Sequence, residues 1–300
     1  MLKLLISEEK SMNFIDGKEL LSLCHTHHLT ISEVMIRREM EVFHTSREEI
    51  LNRMAHAYEI MKNAALRALE EDLVSMGGLI GGESKRLFAH ANKGSVCGEM
   101  MSKAISYAAG ILEVNSSMGL IVAAPTAGSS GVIPGVFLAM QEEFNLSDEV
   151  MIQALFNAGA IGYLITRNAT VSGAEGGCQA EVGAASAMAA SAVCEMMGGS
   201  PEASLDAAST AITNILGLVC DPIAGLVEAP CQKRNAMGVS NALISAEIAL
   251  CGIKHIVPFD ETVVAMYHVG KSMPMELRET ALGGVASTPT ACELCKGIFE

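Results

Sequence analysis

Three cysteines stand where glycine, proline and polar side chains gather, and a thiol in such surroundings can ligate a metal or act as a nucleophile. Cys178 lies near the end of Ser172-Gly173-Ala174-Glu175-Gly176-Gly177-Cys178-Gln179, between one helix predicted to end near Arg167 and another predicted to begin near Cys178. A thiolate at a helix start is stabilised by free N–H groups and by the positive end of the dipole. Cys220 opens Cys220-Asp221-Pro222 and Cys231 sits in Pro230-Cys231-Gln232, so both lie beside prolines that fix turns. Such turns can aim side chains inward at one point. The separations of 42 and 11 residues match no compact ferredoxin or zinc-ribbon spacing, which leaves a three-cysteine metal site and buried structural thiols both open.

A fourth segment, Ala124-Pro125-Thr126-Ala127-Gly128-Ser129-Ser130-Gly131, offers backbone N–H groups and hydroxyls that suit an anion such as a carboxylate or phosphate. It reads equally well as a tight glycine turn with capping serines. His25, His27 and His28 cluster without a spaced carboxylate or cysteine, which favours a solvated segment over a metal site. His56 and His268 fall inside helical patterns and read as helix-face residues. Cys24, Cys97, Cys194 and Cys251 read as buried free thiols.

The elements that must position these residues are mostly helical. Thr30 and Glu33 form a capping-box pattern ahead of Val34, Met35 and Ile36, so a helix is predicted from about Ile31 to Phe43. Ser46 and Glu49 repeat the signature, and Leu51, Met54, Tyr58, Met61, Ala65, Leu69, Leu73 and Met76 follow at three- or four-residue spacing up to Gly77-Gly78. This predicts one long amphipathic helix whose methionines belong to its packed face. Further helices are predicted to start at Ser147, at Ser200-Pro201 and at Asp260, with stops at Gly198-Gly199 and Gly283-Gly284. Only Leu120 to Ala124 reads as a short run that could be extended. The expected fold class is mainly α, with glycine-rich loops converging on the cysteine site. The expected division is a helical region over 1–80 and a helical catalytic domain over 81–300.

Composition narrows the function. Half of the 300 residues are apolar, so the chain can bury a core large enough to fold without a metal staple. A formal charge of −14 disfavours nucleic acid and anionic membrane surfaces as partners. Nine cysteines are an odd number, and Met1 to Ile6 is too short for a secretory apolar segment before Glu8 and Glu9. These features point to reduced thiols and a cytoplasmic location. The uncharged stretch Val114 to Gln141 exceeds the roughly 20 residues of a membrane helix. It carries Pro125, Pro134 and four glycines and is flanked by Glu113, Glu142 and Glu143, which argues against a span.

The run from Asn168 through Cys178 to Gly183, with Ala124-Pro125-Thr126, Cys220-Asp221-Pro222-Ile223-Ala224-Gly225 and Ala229-Pro230-Cys231, resembles the catalytic domain of iron–sulfur L-serine dehydratases. The likeness runs from about Ser32 to Gly284, with several long motifs in order. It implies a [4Fe–4S] cluster held by Cys178, Cys220 and Cys231, with one iron left open. It also implies conversion of L-serine to pyruvate and ammonia, in which an open iron acts as Lewis acid and a base not identified here takes the α-proton. Thr126, Ser129, Asn168 and Glu175 are the candidate substrate-lining residues, because hydroxyl, amide and carboxylate groups can hold the charged ends of an amino acid.

Single-chain members of that family carry a Ser-Ser-Ser-His segment that this sequence lacks. The chain therefore resembles the α subunit of the two-subunit form, whose β subunit would supply the segment in a hetero-oligomer. Some relatives end on a cysteine that can cap the fourth iron, and here Cys292 and Cys295 lie near the end. Two rival readings stand beside this one. A pyridoxal-phosphate lyase would use Gly128 to Gly131 as phosphate cradle and Lys85 or Lys93 as Schiff base. A nonenzymatic amino-acid-binding regulatory subunit would keep the pocket and bind no iron.

Overall fold

The computed structural model describes residues 11–91 and 93–299, so the apolar run Met1 to Ile6 lies outside the described residues. The described chain opens with α1 (Gly17–His27), α2 (Ile31–Phe43), α3 (Arg47–Glu70), α4 (Glu83–Ala91), α5 (Glu99–Ser116) and α6 (Val132–Phe144). It continues through α7 (Asp148–Asn168), the single turn α8 (Gly173–Gly176), α9 (Cys178–Met196), α10 (Pro201–Thr213), α11 (Cys231–Leu250), α12 (Phe259–Ser272) and α13 (Pro289–Phe299). Among the described residues no strand forms. The one isolated bridge joins Cys220 to Arg278.

Local sequence accounts for most of these boundaries. The Thr30 hydroxyl accepts the Glu33 N–H at 3.3 Å and starts α2 as expected. Glu33 does not close the box, because its carboxylate is taken by Arg37 and Arg47. Ser46 and Ser200 cap α3 and α10 in the same way, with Pro201 at the first turn of α10. α1 is a helix that apolar periodicity did not single out; the Asp16 carboxylate caps it at Glu19 N, 2.7 Å away. His25 and His27 sit in its last turn, and His28 takes the left-handed cap position.

α3 ends at Glu70, short of the predicted stop at Gly77-Gly78. Glu70, Glu71 and Asp72 bring negative charge to the negative end of the dipole, and the chain leaves the helix there. Past that point burial alternates, with Leu73 and Ser75 turned in and Val74 and Met76 turned out. The Leu120 to Ala124 run is likewise nonhelical and joins no sheet.

The centre is α9, which packs on α7, α10, α11 and α6. Its alanines and serines, dense from Val182 to Val193, let the neighbours come close. One set of packed buried side chains extends from Phe14 to Met266. Inside it the Glu195 carboxylate accepts the Ile31 N–H at 2.9 Å and the Asn157 side-chain amide at 2.8 Å, tying α9 to the start of α2 and to α7. α7 is long and apolar enough to cross a membrane, yet 61% of its apolar window is buried within the protein. The stretch Val114 to Gln141 is broken among α5, a loop, a 3-10 turn and α6.

Two glycines test this packing. A Cβ on Gly135 of α6 would lie 2.7 Å from the Ala104 carbonyl of α5, whereas one on Gly159 of α7 meets nothing within 4 Å. Gly135→Ala is expected to destabilise by about 1–3 kcal/mol through overpacking. Gly159→Ala should stabilise by about 0.5–1 kcal/mol through the lower entropy cost of the helix. Urea unfolding midpoints check both, and a neutral Gly135→Ala would contradict the close approach of α5 and α6.

Candidate functional site

Cys178 is the first residue of α9 and Cys231 the first residue of α11, so two of the three candidate thiols occupy helix starts. Gly177 makes the turn into α9 at φ 75, and a Cβ there would sit 2.6 Å from the Met273 sulfur. Cys220 lies in the segment between α10 and α11, and that segment is fastened from two sides. Gln179, one residue after Cys178, receives the Gly217 N–H on its side chain and donates its own N–H to the Leu218 carbonyl. From the other side Cys220 N–H donates to Leu277 O at 2.9 Å, and Glu279 N–H donates to Cys220 O at 2.7 Å.

All three thiols are buried and stand within electrostatic reach of one another. Burial pushes Cys178 up to about 12, against the opposing charge of Arg234 and a bond from its guanidinium. Burial also pushes Cys231 up to about 12, with Cys178 and Glu181 adding to the rise. Cys220 is raised too, first by burial and then by Cys178, Glu181, Glu279 and Cys231. The positive charge in this group is Arg234, which pairs with the buried Asp221 carboxylate at 2.7 Å and donates to Val219 O at 2.7 Å. Asp221 in turn accepts the Val285 N–H at 2.6 Å.

A carboxylate shares the pocket. Glu181 follows Cys178 by three residues on α9 and therefore lies on the same helix face. Its Oε2 is 3.8 Å from the Cys220 sulfur, and its Oε1 accepts the Thr126 hydroxyl at 2.9 Å. Burial raises this carboxyl to about 7; the Thr126 bond opposes the shift and Glu279 adds to it. The Ser129 hydroxyl is 3.1 Å from that of Thr126. Asn235 holds the hydroxyl loop in place, donating to Gly128 O at 2.7 Å and accepting Gly131 N–H at 3.0 Å. The Ala124–Pro125 and Ala229–Pro230 peptide bonds are both cis.

Two of the four candidate substrate-lining residues, Thr126 and Ser129, are thus beside the thiols. The other two are engaged elsewhere. The Asn168 amide donates to Ile15 O and Leu164 O at the end of α7. The Glu175 carboxylate is exposed, 4.0 Å from Lys271. Residue type alone did not single out Glu181, Arg234 or Asn235. The usable signal was helical spacing, since Glu181 stands three residues after Cys178, and Arg234 and Asn235 three and four after Cys231.

The remaining cysteines divide by environment. Cys24 and Cys194 are buried as expected, but Cys97 and Cys251 are exposed. Cys97 falls in the turn between α4 and α5, and Cys251 forms the C-terminal cap of α11, where the core no longer covers them. Cys292 is exposed and Cys295 half-buried on α13. Lys85, a Schiff-base candidate, is paired with Asp72 at 2.5 Å and bonded to Glu70 O, and Lys93 is exposed.

The donor set can be tested for what it suits. Among the described residues no three His, Cys, Asp or Glu side chains are grouped to hold a single metal ion. Thiolates that bind a cubane cluster stand farther apart than ligands of one ion, because bridging sulfides and several irons lie between them. Three buried thiols, two of them at helix starts, with one arginine to offset anionic sulfur, are soft donors of the kind that hold a thiolate-bound metal group.

Fold and site together define a mainly helical protein whose polar centre combines three buried thiols, a carboxylate and paired hydroxyls. Residues 26–286 match the family of the serine dehydratase alpha chain. The chain is 50% identical over 287 residues to the probable L-serine dehydratase alpha chain of Bacillus subtilis, covering 95% of each chain. It is 47% identical over 285 residues to the L-serine dehydratase alpha chain of Peptoniphilus asaccharolyticus, covering 95% of this chain and 98% of that one. It is also 36% identical to the L-serine dehydratase of Helicobacter pylori, of which it covers 63%. The chain belongs to the serine dehydratase alpha chain family.

Burial makes a further difference measurable among the thiols. Brief iodoacetamide treatment of the metal-free chain at neutral pH is expected to alkylate Cys97, Cys251 and Cys292 well before Cys178, Cys220 or Cys231. Peptide mass spectrometry reads the order. Early labelling of the three buried thiols would contradict the closed pocket.

Proposed function

We propose that this chain is the α subunit of a two-chain, cytoplasmic L-serine dehydratase that converts L-serine to pyruvate and ammonia. The observation that carries the reading is the neighbouring trio Cys178, Cys220 and Cys231, compensated by Arg234, in a chain of the alpha chain family. In this reading the three thiolates hold a [4Fe–4S] cluster. When bound, that cluster supplies an open iron, a Lewis acid that makes the substrate hydroxyl a better leaving group.

The chain's own residues then have distinct tasks. Arg234 offsets the charge of the sulfur ligands, and Asp221 holds Arg234 in place. Thr126 and Ser129 present hydroxyls to the substrate carboxylate. Glu181 as a carboxylate faces the substrate ammonium, and its bond from Thr126 fixes its direction. Removing the α-proton and the β-hydroxyl takes water from serine and leaves an enamine; adding water back across its imine tautomer releases ammonia and pyruvate. A partner chain supplies the groups that complete the pocket.

Two outcomes test this. Reconstituted anaerobically with iron and sulfide, the chain alone should form little pyruvate from L-serine, and the β chain of the same enzyme should restore turnover. Air should then abolish activity, and iron(II) with reductant should recover it. Robust pyruvate formation by the single chain would contradict the two-chain reading. Glu181→Gln, assayed with the β chain present, is expected to raise KM for L-serine about 10- to 100-fold through loss of one charge-assisted bond. An unchanged KM would remove Glu181 from the ammonium site.

A further inference from the structure

Two non-helical segments adjoin, one from residue 71 to 76 and the other from 117 to 123. They meet where Met76 N–H donates to Ser116 O at 2.9 Å. The alternation of the first leaves Val74 and Met76 each 70% exposed, while Met118 and Leu120 of the second are 78% and 70% exposed. One exposed apolar side chain is ordinary on a protein surface. Four large ones on adjoining segments mark a surface that something else covers.

This surface is attached to both walls of the site. The second segment runs without a break into Ala124, Pro125 and Thr126. The first is fastened by the buried Glu228 carboxylate, which accepts the Ser75 hydroxyl at 2.6 Å, Gly77 N–H at 2.7 Å and Leu79 N–H at 3.0 Å. Glu228 lies three residues before Cys231. Ion pairs border the patch: Arg67 with Glu71 at 2.8 Å and Lys85 with Asp72 at 2.5 Å. An apolar centre with a charged rim is the usual anatomy of a protein–protein contact.

The lengths of the relatives indicate the occupant. This chain covers 95–98% of the relatives named alpha chain but only 63% of the Helicobacter pylori L-serine dehydratase. The longer relative therefore carries, in one chain, roughly a further third that alpha chains lack. We propose that the Val74, Met76, Met118 and Leu120 surface is where a separate β chain, counterpart of that further third, docks and closes over the thiol pocket. The inference rests on the two-chain reading above, and it assigns that partner a place.

The test uses the full chain with its cluster reconstituted and recombinant β chain from the same source as probe. Met76→Glu combined with Met118→Glu, and separately Leu120→Lys, put charge on the patch. Ile256→Glu puts it on another exposed apolar site, where Ile256 is 97% exposed. Calorimetry should give at least a thirtyfold loss of affinity for the double variant and a clear loss for Leu120→Lys. Ile256→Glu should change affinity less than twofold. Iron content and helical circular dichroism should match wild type in all three, since each altered side chain projects into solvent.

If wild-type chain binds the β chain and the patch variants bind it equally well, or if only Ile256→Glu weakens binding, the docking surface is wrong while the two-chain reading stands. If the patch variants instead abolish self-association of this chain and leave β-chain binding intact, the occupant is a second copy and the proposal fails. If wild-type chain does not bind the β chain at all and turns over serine alone, the two-chain reading falls and the docking surface falls with it.

Discussion

The arrangement around Cys178, Cys220 and Cys231 depends on one buried ion pair, Arg234 with Asp221. Three thiols and a carboxyl share a space from which water is largely excluded, and every one of them loses stability on ionising there. Arg234 is the cation that makes anionic sulfur tolerable in that space, and it needs a fixed counter-charge of its own. Asp221 provides it and also takes the Val285 N–H, so the pair joins the start of α11, the Cys220 segment and the chain leading to α13. An arginine left without Asp221, or an aspartate without Arg234, would be a buried unpaired charge costing about 3–5 kcal/mol.

Around this pair the fold supplies geometry more than chemistry. α9 and α11 pack against each other with small side chains, which brings their first residues, Cys178 and Cys231, toward a common centre. Gln179 and the residues 277–279 hold the Cys220 segment through hydrogen bonds to its backbone. Asn235 does the same for the hydroxyl loop. Because so many of these clamps are backbone contacts between distant parts of the chain, the site is built only when the whole helical core is in place.

How much of this could be read from sequence varied with the range of the interaction concerned. α2 and the start of α10 follow from caps within four residues, and both were legible. The end of α3 was not, because apolar spacing continued through Leu73 and Met76 while charge at Glu70, Glu71 and Asp72 favoured an extended segment. α1 was not singled out although Asp16 caps it, because its apolar residues Leu20, Leu21, Leu23 and Cys24 span little more than one turn. The cysteines were legible as residues at helix starts and turns. Which polar side chains join them was not, because Asn168 and Glu175 offer the same chemistry as Thr126 and Ser129, but Asn168 is bonded to Ile15 and Leu164 and Glu175 is exposed. Direction depends on tertiary contacts, and only Glu181 and Arg234 left a local trace, their spacing from Cys178 and Cys231.

The most direct measurement is anaerobic iron and acid-labile sulfide analysis of the reconstituted chain, run in parallel on Cys178→Ser, Cys220→Ser and Cys231→Ser with circular dichroism on the same samples. About four irons and four sulfides per wild-type chain are expected, with near-complete loss in each variant and unchanged helical content, because the apolar core is large enough to fold without metal. A wild-type chain that binds no iron, or a serine variant that retains a full complement, would contradict the assignment of these three thiols as the cluster ligands.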